Sequence, residues 1–61
     1  MMAFKFGLGV EVVVVDSEEL GVVSGRAEYS YAENGYLVDF VDAMGRQQSG
    51  WFGEHLLDHV E

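Results

Sequence analysis

Gly21-Val22-Val23-Ser24-Gly25-Arg26-Ala27-Glu28-Tyr29, Asn34-Gly35, Tyr36-Leu37-Val38-Asp39-Phe40, Gly45-Arg46 and Trp51-Phe52 make up the stretch that decides the fold. Two runs rich in β-branched and aromatic residues flank an Asn-Gly pair. A type I′ hairpin turn needs positive φ at both central residues, which Asn and Gly adopt most readily. The pattern predicts a hairpin turning at Asn34-Gly35, with a long strand over 20–32 and its partner over 36–41. Gly21 and Gly25 inside the first strand predict a bulge or sharp bend, the device by which a small sheet turns a corner.

Working outward, the valine run at 12–15 is stiff at χ1 and favours a pleated surface, which predicts a strand over 10–15. Asp16 and Ser17 supply turn chemistry for a loop over 16–19. A second turn is expected over 42–45, a fourth strand over 46–52 ended by Gly53, one helical turn over 54–57 and a short last strand over 58–60. The class is all-β, a small SH3-like antiparallel barrel of four to five strands with one short helical turn near the C-terminus.

The chain has 61 residues and neither proline nor cysteine. With no linker, repeat or low-complexity stretch, it reads as one domain over 1–61. A chain this short buries only about 60% of the surface its unfolded form exposes. Without cysteine no disulfide or thiolate metal site supplements the core, and a reducing cytoplasm is expected. No secretion signal and no apolar span of about 20 residues is visible, so neither export nor membrane insertion is expected. Eleven acids against three bases give a net charge of −8. Phosphate backbones are bound by clustered cations, and Lys5, Arg26 and Arg46 are scattered, so direct nucleic-acid binding is not expected. The same charge keeps the chain soluble and attracts a protein partner with a basic surface.

Side-chain alternation places Val12 and Val14 on one face of the first strand and Glu11, Val13 and Val15 on the other. In the hairpin partner, Tyr36, Val38 and Phe40 oppose Leu37, Asp39 and Val41. A small barrel has one interior, so the second apolar set, Val13, Val15, Leu37 and Val41, needs a cover. Either Phe4, Phe6 and the Leu56-Leu57 turn fold over it, or it is a homo-oligomer or partner face.

His55 and His59 stand four apart, the spacing of a helical metal pair. Asp58 stands where the inverted zincin pattern uses Glu, and one helical turn builds no cleft, so no metal site and no cofactor are expected. Gly7-Leu8-Gly9 lacks a third glycine and precedes a strand, which makes it a turn. Ser17, Ser24, Ser30 and Ser49 have no nucleophile motif around them, and a non-enzymatic role is expected. Trp51 and Phe52 are adjacent on one strand, so one of them faces the surface. Tyr29 and Tyr31 share a face, and with Trp51 they suit a shallow aromatic groove for peptides or methylated basic side chains, with Asp39, Asp42 and Glu54 as an acidic rim. The ordinary alternative is that these aromatics fill the core.

Phe6, Leu8-Gly9 and Val12, the run from Gly21 to Tyr29, Tyr36-Leu37-Val38, Gly45-Arg46, and Trp51-Phe52 followed by Glu54 and Leu57 together resemble small KOW/Tudor-type SH3-like proteins of bacteriophages, prophages and their bacterial hosts. The resemblance covers nearly the whole chain. Val10 departs from it, because the family usually has an acid after the glycine at this point, and this puts the usual first-turn hydrogen bonding in question. The resemblance implies a non-enzymatic barrel working with macromolecules in a bacterial or phage-infected cell. The leading expectation is a protein-interaction module docking through the aromatic face. The alternatives are a nucleic-acid mimic displaying Asp16, Glu18, Glu19, Glu28 and Glu33, and an oligomeric structural or assembly component.

Overall fold

The computed structural model describes residues 4–60. Five strands, β1 (Glu11–Val14), β2 (Leu20–Ala27), β3 (Gly35–Val41), β4 (Gln47–Gly53) and β5 (Leu57–His59), form one antiparallel sheet in the order β4-β3-β2-β1-β5. A single 3₁₀ turn, Glu54–Leu56, precedes β5 and closes when Leu57 N–H donates to the Glu54 carbonyl. This is the all-β, SH3-like arrangement that the strand pattern predicts, with the sheet curled around one core. No helix among the described residues is long and apolar enough to cross a membrane.

The curl comes from β2. Val23 pairs with Val38 and Gly25 with Leu37, so Ser24 is an extra residue opposite one step of β3. Such a bulge sharpens the local twist and bends the strand. Ser24 Oγ then donates to the Leu37 carbonyl at 3.3 Å. The bend expected from Gly21 and Gly25 is therefore present and located.

The hairpin turn is not at Asn34-Gly35. Ala27 pairs with Gly35, β2 ends there rather than at residue 32, and residues 28–34 form a loop. Positive φ among the described residues is confined to Gly9, Glu18 and Gly45, so no type I′ turn forms at 34–35. The reason is burial. Asn34 is 1% exposed; its carbonyl accepts the Glu54 N–H at 3.0 Å, and its Nδ2 donates to Glu54 Oε2 at 3.3 Å. These buried long-range bonds outweigh a local turn preference.

The β3–β4 turn follows expectation. Gly45 adopts φ +80°, and its N–H donates to the Asp42 carbonyl at 2.9 Å. Asp42 Oδ1 accepts the Met44 and Arg46 N–H groups at 2.9 and 3.0 Å. An L side chain in this left-handed region costs about 1 kcal/mol. Gly45→Ala is expected to lower the melting temperature by roughly 4–8 °C. Gly7→Ala, whose new Cβ meets only Val10 at an ordinary 3.6 Å, should melt like the parent in the same thermal scan. The first turn needs no carboxylate at position 10: Gly9 N–H donates to the Val23 carbonyl at 2.8 Å and Val23 N–H to the Val10 carbonyl at 3.0 Å.

The core consists of Phe6, Val12, Val14, Val23, Tyr36, Val38 and Leu57, with Phe4, Val10 and Phe52 packed against it. Val12, Val14, Tyr36 and Val38 are the inner faces that alternation predicts. Tyr36 meets Phe6 edge-on, with ring centroids 5.2 Å apart. Phe6 and Leu57 thus complete the first interior instead of covering the second apolar set, and Val15 and Val41 stay exposed. Val13 lies opposite Leu20, and Val41 opposite Gln47. Leu37 pairs with Gly25 and Trp51, away from those valines. One step beyond the Gly21–Phe40 pair, Leu20 lies beside Val41, so Val13 and Val41 flank Leu20 on the outer face with Val15 near the end of that row, and only Leu37 of the four residues of the expected oligomer face stands apart from them.

Candidate functional site: an aromatic groove

Trp51 is on the outer face of β4 and is 59% exposed, while its neighbour Phe52 turns inward. Two glycines make room for the indole. A Cβ at Gly25 would come within 3.8 Å of Trp51 Cη2, and one at Gly35 within 3.8 Å of Cε3. A glycine in a strand often marks such a close approach, here of a ring to the backbone. Tyr29 leans over Gly35 from the 28–34 loop, 3.4 Å from where a Cβ would stand. Tyr31, 85% exposed, is tilted against Tyr29 with centroids 5.7 Å apart.

Tyr29, Tyr31 and Trp51, with Glu33 and the Phe52–Gly53 end of β4, line a groove of ≈ 260 Å³. The aromatic trio that the sequence singled out is thus gathered in one place, and the core is filled by other residues. A shallow groove with exposed ring faces can stack apolar or planar groups and attract a cation to the π-faces.

The acidic rim is different from the expected one. The carboxylate at the groove is Glu33, whose Oε1 accepts the His55 N–H at 2.9 Å and whose Oε2 meets His55 Nδ1. Glu33 also lies over Gly53. Asp39 accepts a bond from Ser49 Oγ at 2.8 Å and borders a separate recess beside Val22 and Val41. Asp42 caps the β3–β4 turn; the Arg46 backbone N–H, followed by the Gln48 side-chain amide, holds its carboxyl below the usual carboxylate range.

Glu54 points inward. Its Oε2 accepts bonds from the Tyr36 hydroxyl, from Asn34 Nδ2 and from Lys5 N–H. The Tyr36 bond is the main cause of a carboxyl pKa lower than usual. Burial, then the Glu54 contact, raises the Tyr36 phenol. The Tyr36 oxygen also accepts the Lys5 and Phe6 N–H groups at 2.9 and 3.4 Å. This cluster ties residues 5 and 6 to β3 and to the 3₁₀ turn.

The two histidines part company: His55 bonds Glu33, and the His59 ring packs edge-on to Phe6 at 4.8 Å. No group of three or more metal-ligating side chains occurs among the described residues. Each cation has a partner: Lys5 stands over Phe6, Arg26 over Phe4 at 4.4 Å, and Arg46 beside Asp42.

Glu33, Gly25 and Gly35 belong to this site, whereas the sequence assigns them other parts: Glu33 as one carboxylate of a nucleic-acid mimic, Gly25 as a bend and Gly35 as half of a turn. Glycines within strand runs were the available signal, but matching them to Trp51 requires the β2–β3–β4 register. Compared with protein-family models, curated proteins and solved structures, the chain matches none.

Proposed function

We propose that this chain is a non-enzymatic protein-interaction module that docks a partner protein with a basic surface through the aromatic groove. The observation that carries the reading is the exposed Trp51 indole, seated on two glycines beside Tyr29 and Tyr31. A large aromatic left in solvent next to two others is the composition of a binding hot spot. Glu33 at the groove and the net charge of −8 favour a cationic partner and speed its encounter. The resemblance to small KOW/Tudor-type SH3-like proteins of phages and their hosts is part of the same proposal, as is work in the cytoplasm of a bacterial or phage-infected cell.

The test is affinity capture from bacterial lysate with the parent chain and with Trp51→Ala, washed in parallel at low and high salt. Trp51 borders the core without entering it, so the variant should keep its circular dichroism and melting temperature. A partner retained at high salt by the parent is expected to bind Trp51→Ala at least about 30-fold more weakly, as for loss of a hot-spot tryptophan. Partners released by salt alone and indifferent to Trp51→Ala would replace this reading with the electrostatic mimic.

A further inference from the structure

We propose that the free edge of β4 takes up an extended, basic segment of a partner protein as an added strand. This rests on the groove reading, because a strand along that edge runs past Gly53 into the aromatic groove. Ladder alternation identifies the available groups. Asp42 N–H donates to the Arg46 carbonyl at one end of the β3–β4 ladder, and Glu54 N–H to the Asn34 carbonyl at the other. With the register between them, residues 46, 48, 50, 52 and 54 turn their backbone groups toward β3. Gln47, Ser49, Trp51 and Gly53 turn theirs away. β4 ends the sheet, and among the described residues these four N–H and C=O groups have no hydrogen-bond partner.

Sheet edges are normally blunted by charge, proline, bulges or short length. At the opposite end of the sheet, β5 is three residues long and carries Asp58 and His59. β4 is seven residues long, Gln-Gln-Ser-Gly-Trp-Phe-Gly, with no charged residue, no proline and an unbroken register against β3. It has none of these protections. Charge selects the occupant. Glu33, Asp39 and Asp42 stand beside this strand, against Gly53, Ser49 and Gln48 respectively, and Arg46 is already beside Asp42. A second copy would bring −8 against −8, whereas a segment alternating Lys or Arg with β-branched residues complements the field and suits strand addition.

The probe is a synthetic, end-blocked peptide of about seven residues alternating lysine or arginine with valine, matched to the length of an edge strand. It is added to the ¹⁵N-labelled full chain, alongside two twins N-methylated either at the valines or at the basic residues. Only one parity of peptide N–H groups faces β4. The expected result is that Gln47, Ser49, Trp51 and Gly53 amides shift and gain exchange protection. One twin should bind like the parent peptide and the other about tenfold or more weakly, the cost of losing several backbone hydrogen bonds. Ser49→Pro removes an outward N–H without touching a ladder bond, and should weaken binding similarly while keeping its amide spectrum.

Equal binding by both twins overturns strand addition, as does an absence of β4 shifts. Amide protection at β4 that grows with protein concentration alone overturns it in favour of a second copy. Twin-insensitive binding abolished by Trp51→Ala keeps the groove and rejects the edge. Twin-sensitive binding indifferent to Trp51→Ala keeps the edge and rejects the groove.

Discussion

Gly21→Ala is expected to remove about a third or more of the chain's folding stability. Gly21 is buried in β2, between Val12 of β1 and Phe40 of β3. A Cβ there would come within 2.5 Å of Val38 Cγ1, 2.8 Å of the Asp39 carbonyl oxygen and 3.3 Å of Phe40 Cβ. Val38 is fully buried, and the Asp39 oxygen belongs to the paired strand. Neither can give way without separating β2 from β3, whose pairing defines the barrel. Overpacking of this kind costs about 3 kcal/mol, against a total of roughly 3–9 kcal/mol for a domain of this length. Urea titration followed by tryptophan fluorescence measures the loss. A midpoint equal to the parent's would mean that β2 does not lie on β3 as described.

Tyr36→Phe is expected to cost about 2 kcal/mol, because it leaves buried partners unsatisfied while barely changing volume. The hydroxyl serves Glu54, Lys5 N–H and Phe6 N–H at once. Its loss should also release residues 5 and 6, seen as faster hydrogen exchange at the Phe6 amide. The same cluster gives stability two pH limits. Glu54 has a lowered pKa in the fold, so its contribution is full above the ordinary carboxylate value of about 4.3 and is lost as pH falls through the lower folded value. Tyr36 has a raised pKa, so its contribution is full below the ordinary phenol value of about 10 and is lost as pH rises through the higher folded one. In Tyr36→Phe the alkaline loss should vanish and the acid loss should shrink, measured as melting temperature against pH. A variant with the parent's pH profile on both limbs would remove this cluster from the account.

Much of the fold was legible because strand formation is written in local chemistry. The valine run at 12–15, the alternation of Tyr36, Val38 and Phe40, and Asp42 with Gly45 each satisfy a short-range rule, and each is found where expected. Asn34-Gly35 also satisfies one, yet no turn forms there. Local preference at that pair is worth less than the buried bonds between Asn34 and Glu54, twenty residues apart in sequence.

The groove divides in the same way. That one of Trp51 and Phe52 must face solvent follows from strand alternation alone, and Tyr29, Tyr31 and Trp51 do meet. Which acid accompanies them does not follow. Asp39, Asp42, Glu54 and Glu33 carry the same carboxylate, and their roles depend on what stands opposite: Ser49, a turn, Tyr36 and His55.

The sequence by itself therefore determined the all-β class, the approximate strands, the inner and outer faces and the acidic charge. Each depends on alternation, propensity or composition, which act over a few residues or need no geometry. Tertiary structure alone decided the β2 bulge register, the inward turn of Asn34 and Glu54, the glycine seat under Trp51 and the bare edge of β4. Each of these depends on which strand lies beside which and in what register, quantities set by long-range burial and hydrogen bonding that no local stretch contains.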